Sequence, residues 1–396
     1  MPAFAKNIKS NKLFWVLVIA LLVRAVVLVL LPDQHFPDAG AYRSTGEKFR
    51  HLQLMTDNAI MPLYPLLVAL TGGGWGQKLA DMTLSLISVW LVYEIALRIY
   101  RDEAIALIAA LFCAIWPHFA FFAAVGLTET LFTTLVLAAF LCLYDRRFFL
   151  ASVFLVLGIL TRPAIEILSP IIIVLFSIVI HRESYRLLGK RLFTFLVVYV
   201  VLMAPWWAHN YARYGTFVHL DLGGGMVLYT GNNPLNSSGG GVGGRDVNLR
   251  EIPNTGNPIQ RDAEFRDAAV QYIMADPLHF IAMMPVKFAR LWRPWPYTDE
   301  YQNVLIVAVS VISAVPIFLL GLMGLALTLR SHFRLLLPCL AYVGYLTLVH
   351  VVTIGSVRYR VPLEPFVLIV AAAGLVCLLR KVEAGRQLLA PLSSTR

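Results

Sequence analysis

Near the start of the chain, residues 14–31 read FWVLVIALLVRAVVLVLL, an apolar run broken by one charge, Arg24. A helix needs about 20 such residues to cross the hydrocarbon core of a bilayer. Many similar runs follow, and in lipid a spanning chain must satisfy its own backbone polar groups, as a helix bundle or a closed barrel. The runs lack the period-2 alternation of barrel strands. The expected fold is therefore all-α and polytopic, in a membrane. Composition agrees: 59% of residues are hydrophobic and 14% charged, against about a quarter charged in soluble domains. The 396 residues would hold two or three soluble domains, yet no polar linker divides them. One membrane domain covering 1–396 is expected.

Candidate spans are 13–32, 78–99, 103–117, 126–144, 148–162, 164–181, 191–208, 302–329, 335–352 and 361–379. Proline at 163 breaks the pair 148–162 and 164–181, which is either two crossings or one kinked crossing that would flip everything downstream; the distribution of basic residues decides for two. The net charge of +10 sits mainly at the ends of apolar runs, which speaks for membrane orientation rather than nucleic acid. With ten crossings, Lys6/Lys9/Lys12, Arg98/Arg101, Arg146/Arg147, HRESYRLLGKR, RSHFR and RKVEAGR share one side. Both termini are then cytoplasmic by the positive-inside rule. The basic start resembles a signal peptide, but its apolar run is long and holds Arg24, so an uncleaved first span is expected. The loop 33–77 and the segment 209–301 fall outside. The four cysteines lie in apolar runs without framework spacing and read as buried apolar residues.

Most remaining polar chemistry lies on that outer side. Asp38, just beyond the first span, is either an N-cap for the following helix or a general base, with Tyr42 one turn on. Glu129 stands about one turn inside a span. It is either a carboxylate favoured by a helix N-terminus or a functional group within the membrane, able to hold an acceptor or a metal beside Asp38. Arg162 pairs with Glu166 or contacts a phosphate. Arg358 and Arg360 project to one face if their segment is extended, which suits bidentate binding of phosphate; interfacial anchoring is the plainer reading. The segment LYTGNNPLNSSGGGVGG implies a backbone-exposing loop, without the Gly-Lys-Ser/Thr of a P-loop. Two amphipathic helices split at Pro277 are expected to lie on the membrane, with Lys287, Arg290 and Arg293 in the headgroup layer. The histidines, His35 among them, form no zinc spacing. A divalent cation would suit an acidic site, but no ligand spacing supports one.

The stretches FPDAGAYRSTGEKF, MPLYPLLVALTG, GLTETLFTT, GILTRPAIEILSP, GNNP, YIMADPLHFIAMMPVKFARLW and RYRVPLEPFVLIVAAAG occur in that order over nearly the whole chain. As an ordered set they resemble the C-type glycosyltransferases, the protein-O-mannosyltransferase and aminoarabinose-transferase-like enzymes. The resemblance implies a GT-C membrane core, here without the large soluble C-terminal domain. It implies a polyprenyl-phosphate-sugar donor, a glycan, lipid or protein acceptor, and Asp38 as the catalytic acidic residue of the first outer loop. The family often has a second acid after that position, whereas Ala39 follows Asp38 here, which argues against a metal-dependent variant. Arg358, Arg360 and Arg162 would bind the donor phosphate, and Glu129 would assist Asp38. Tyr42, Tyr64, Glu166, Asn232, Asn233 and Tyr359 would line the substrate pocket. Transfer by one base predicts inversion at the anomeric carbon, at the periplasmic face of a bacterial inner membrane. The competing reading is a lipid or solute transporter, whose sign would be charges at mid-depth in matching halves; Arg24 is the one clear case.

Overall fold

The computed structural model describes residues 11–30, 36–241, 243, 245–252, 256–297 and 303–389. Lys6, Lys9 and His35 lie outside them. Among the described residues the protein is helical, and the sole β feature is an isolated bridge between Gly243 and Val247. The first apolar run forms α1 (Asn11–Leu30). Two short helices follow at one end of the bundle, α2 (Pro37–Arg50) and α3 (Leu63–Thr71). Passes through the bundle are made by α4 (Gly74–Tyr100) and α5 (Glu103–Ile115), which α6 (Pro117–Phe122) extends. Further passes are α7 (Glu129–Tyr144), α8 (Phe148–Ile159), α9 (Leu168–Val174, continued as a π-helix to Ile180) and α10 (Tyr185–Tyr214). A long connection then carries α11 (Gly224–Gly231), α12 (Pro258–Ala275) and α13 (Pro277–Trp292). The chain ends on α14 (Val304–Val352), the short turn α15 (Val357–Arg360) and α16 (Glu364–Leu389).

The boundaries follow local chemistry. Pro37, Pro117, Pro258 and Pro277 each sit in the first turn of their helix, where a missing N–H is no loss. Asp102, Asn257, Asp276 and Asn303 accept first-turn N–H groups as caps. Asp276 thereby fixes the split at Pro277 that the sequence predicts. Ser184 caps α10 through Leu187 N, so this helix starts earlier and runs longer than the expected 191–208.

The two expected spans 302–329 and 335–352 form one unbroken helical stretch, α14, with no loop at RSHFR. A straight helix of that length would extend roughly 74 Å. Instead it doubles back. Phe318 lies 5.1 Å beneath the guanidinium of Arg360, while His350 stacks on Tyr359 at 4.4 Å. Residues 318 and 350 therefore reach the same level of the bundle. The reversal falls near Ser331: Thr328 bonds Tyr100, the last residue of α4, and Leu335 accepts from Tyr144, the last residue of α7. Counting α14 twice gives ten passes. Of the spanning helices, α1, α4, α10, α14 and the last are long and apolar enough to cross a membrane, and four shorter apolar helices accompany them.

Close packing comes from small residues. Ala106, Ala109, Ala110 and Ala114 of α5 are fully buried, as are Ala371, Ala372 and Ala373 of α16. A Cβ on Gly324 would stand 2.0 Å from the carbonyl oxygen of Val370, so α14 and α16 touch backbone to backbone. Arg24 is buried in this packing. Its guanidinium donates to Ser85 Oγ (2.7 Å) and to the carbonyls of Ala114 (2.8 Å) and Cys113 (3.4 Å). Those carbonyls end α5, and Pro117 has no N–H to offer that of Cys113. The mid-depth charge thus acts as a helix cap.

The two ends of the bundle differ. One carries structural ion pairs: Arg98–Asp145 (2.8 Å), Arg191–Glu183 (3.2 Å) and Arg380–Asp102 (2.6 Å). The other gathers Asp38, Glu129, Arg162 and Arg358.

Candidate active site

Asp38 enters this end on the first turn of α2. It does not cap the helix: the N-cap position is Phe36, without a side-chain hydrogen bond. Its carboxylate is half exposed and accepts a 2.6 Å hydrogen bond from Arg358 Nη1. Arg358 stands on α15, whose N-cap Ser356 accepts from the Arg358 N–H at 3.4 Å. Its Nε turns the other way, onto Glu129 Oε1. Glu129 opens α7 and is fully buried. The same Oε1 receives Arg162 Nη1 at 2.9 Å. Two carboxylates and two guanidiniums therefore alternate in a row, Asp38–Arg358–Glu129–Arg162.

Arg162 is extended (φ −146°) between the end of α8 and Pro163. Its guanidinium lies 5.2 Å over Tyr359 and 5.9 Å over Phe132, and His350 stacks beneath Tyr359. Among the described residues only its Nη1 makes a hydrogen bond. The expected Arg162–Glu166 pair does not form. Glu166 instead accepts from Tyr199 and from His219 Nε2 (2.7 Å).

Below the row lies a buried polar layer. Tyr42 packs edge-on to Tyr64, with ring centroids 5.1 Å apart. Burial pushes the Tyr42 phenol up to about 12, which the Arg358 charge partly offsets; this phenol stays protonated at physiological pH. Tyr64 donates to Asp81 Oδ2 (2.6 Å) and accepts from Gln77 Nε2 (3.1 Å). A side chain at Gly126 would collide with Gln77, and Gly126 holds φ +73°; glycine is required there to start α7. Asp81 Oδ1, Gln77 Oε1 and Glu129 Oε2 are buried and have no hydrogen-bond partner among the described residues. Sequence reasoning missed Gln77 and Asp81, although an acid inside a span is a functional signal by itself.

Arg358 and Arg360 do not share a face. Their segment is a helical turn rather than a strand, so residues two apart point away from one another. Arg360 is fully buried and bonds Glu364 Oε1 (2.8 Å) and the carbonyl of Arg293 (2.7 Å). Glu364 in turn accepts from Trp116 Nε1 (2.6 Å) and bonds His118 Nδ1 (2.7 Å). Arg360 is a structural clamp between α16 and the end of α13.

Asn232 and Asn233 also lie apart from the row. Asn232 donates to the carbonyls of Leu228 and Val352, and Asn233 to those of Tyr229 and Asp246. Lys287 and Arg290, expected in the headgroup layer, turn inward instead. Lys287 is fully buried on Asn232 Oδ1 (2.8 Å), and Arg290 bonds Ser238 Oγ (2.9 Å). Both brace the glycine-rich loop. Among the described residues no group of three or more His, Cys, Asp or Glu side chains is placed to hold a metal ion.

No protein-family model matches the chain, and no curated protein matches it. Solved structures do. The oligosaccharyltransferase AglB from Archaeoglobus fulgidus, in complex with an inhibitory peptide and a dolichol-phosphate, superposes with a TM-score of 0.59 at 14% identity. The match covers 97% of this chain and 52% of that one. This chain shares its fold with that oligosaccharyltransferase over about half of the enzyme's length. The same enzyme tethered to an acceptor peptide containing the NVT sequon gives 0.59 at 15% identity, over 96% of this chain and 51% of that one. ArnT from Cupriavidus metallidurans, bound to undecaprenyl phosphate, scores 0.43 at 16% identity over 91% and 77%. This chain thus spans about half the length of AglB.

Proposed function

We propose that the protein is a membrane glycosyltransferase that moves a sugar from a polyprenyl-phosphate donor to an acceptor hydroxyl. The observation that carries this reading is the row Asp38–Arg358–Glu129–Arg162, at one end of a bundle that has the fold of an enzyme solved with dolichol-phosphate. Of its two carboxylates, Glu129 is sealed between guanidiniums, and Asp38 is the one open to a substrate.

Each residue then has one task. The donor phosphate takes Arg162 and the Asp38-facing side of Arg358, so its arrival releases Asp38. Glu129 keeps both guanidiniums aimed at that phosphate. Asp38 accepts the proton of the acceptor hydroxyl as its oxygen bonds the anomeric carbon. The bond from that carbon to the phosphate oxygen breaks, and the charge left on polyprenyl phosphate meets the two arginines. One displacement inverts the anomeric configuration. Asp38, being half exposed, returns its proton to solvent. In this reading the site faces away from the cytoplasm, which the basic ends of the apolar runs support, and the membrane is a bacterial inner membrane. The test is reconstitution in vesicles with an undecaprenyl-phosphate sugar and candidate glycan, lipid or protein acceptors. Sugar transfer matched by release of undecaprenyl phosphate is expected. Donor that stays intact with every acceptor class, or that crosses the bilayer unreacted, contradicts the reading.

A further inference from the structure

Beyond the row of the active site, a second set of cations gathers where α13 ends. Three guanidiniums converge on the ring of Tyr297: Arg290 at 3.3 Å from its centroid, Arg245 at 4.8 Å and Arg293 at 5.0 Å. Arg293 also lies 4.7 Å over Trp295. The described acid within reach is Asp246, 3.6 Å from Arg245 and 3.9 Å from Arg290. Asp246 itself is fully buried and accepts from Ser238 Oγ at 2.7 Å. Like charges this close repel unless an anion joins them. The Nε of Arg293 is buried and has no hydrogen-bond partner among the described residues. Arg245, by contrast, is 46% exposed, so the cluster opens to solvent on that side. The phenol of Tyr297 is drawn below its ordinary value by the Ser238 and Arg290 hydrogen bonds and by the arginine charges.

Its position relative to the row is fixed by two backbone links. Arg360 Nη1 holds the Arg293 carbonyl, and Arg360 is two residues from Arg358. Gly355 N bonds Gly239 O, next to Ser238, and Gly355 is three residues from Arg358. These links tether the cluster to the same short segment that carries Arg358.

We propose that Arg245, Arg290 and Arg293 form a second anion site, which takes a phosphate or carboxylate group carried by the acceptor. The role of that group as part of an acceptor rests on the transferase reading; the anion site itself does not. An acceptor anchored here by its anionic group presents a hydroxyl elsewhere along its length to Asp38. Guanidiniums suit the task because their planar fork pairs with both oxyanions bidentately.

The test is a titration of the purified full chain with inorganic phosphate, read by tryptophan fluorescence, since Trp295 stacks on Arg293. The donor site is first filled with undecaprenyl phosphate. A saturable response is expected, weakened at least ten-fold in the double variant Arg245→Gln, Arg293→Gln. Equal affinity in wild type and double variant overturns the site. The titration is repeated in phosphatidylcholine and phosphatidylglycerol nanodiscs. Equal responses are expected; loss of the response in phosphatidylglycerol would make the occupant a lipid headgroup and overturn the acceptor assignment. Because none of these readings needs turnover, their failure is separate from failure of sugar transfer.

Discussion

Arg358 and Arg360 stand two residues apart and do different things. Arg358 lies between a half-exposed and a buried carboxylate, whereas Arg360 is fully buried against Glu364. Removing one partner of a buried ion pair costs about 3–5 kcal/mol. Arg360→Ala should therefore lower the thermal unfolding midpoint sharply in detergent. Arg358→Ala leaves Glu129 its contact to Arg162 and should instead weaken polyprenyl-phosphate binding by about 1.5–3 kcal/mol, the worth of a charge-assisted hydrogen bond. Weakened donor binding in Arg360→Ala at unchanged stability would reverse these roles. The sequence showed both arginines but not their separation, because an extended segment and a single helical turn before Pro362 suit the same residues. Lys287 gives a pH prediction at this scale. Burial lowers its ammonium to about 8, below its ordinary value near 10.4. The folded state then binds fewer protons than the unfolded one between those values. Stability should rise as pH increases from about 8 to 10, and Lys287→Met should remove that rise. A rise of equal size in the variant would show that Lys287 is not its source.

At the scale of elements, the apolar runs marked nearly every helix, and their ends were less legible. Tertiary contacts decide them: α14 carries helical hydrogen bonding through RSHFR while its two arms pack beside α16. Spin labels at Ile312 and Leu348, both exposed, measure this. A straight helix would hold them roughly 54 Å apart, and the reversal should bring them well under half that. A distance near the straight value would refute the doubled-back helix. The contact at Gly324 is also specific. Gly324→Val would drive side-chain atoms into the Val370 carbonyl, and overpacking costs about 1–3 kcal/mol or, against backbone, more. An unchanged unfolding midpoint would mean that α14 and α16 are not in backbone contact.

On the scale of the whole molecule, the row Asp38–Arg358–Glu129–Arg162 lies at one end of the bundle, with the buried Arg360–Glu364 pair beside it, and the pairs Arg98–Asp145, Arg191–Glu183 and Arg380–Asp102 lie at the other. Charge at the ends of apolar runs made that asymmetry legible in the sequence, and the positive-inside rule predicts that the end carrying Arg98, Arg191 and Arg380 faces the cytoplasm. A cysteine placed at Ser237 should react with an impermeant reagent from outside the cell only; labelling from the cytoplasmic side would invert the account. Arg24, the charge that favoured a transporter, caps α5 within the packed bundle. What the sequence could not give was the order of charges within the site, because Asp38, Glu129, Arg162 and Arg358 are far apart in the chain and meet only through packing. In the proposed mechanism Asp38 is the base of that row. Asp38→Asn keeps the size of the side chain and removes its charge, while freeing Arg358 for phosphate. The decisive measurement is its transfer rate beside its affinity for undecaprenyl phosphate. Transfer should fall by about 10²–10⁴-fold, with lipid-phosphate binding retained or tighter. Transfer at the wild-type rate would contradict that role.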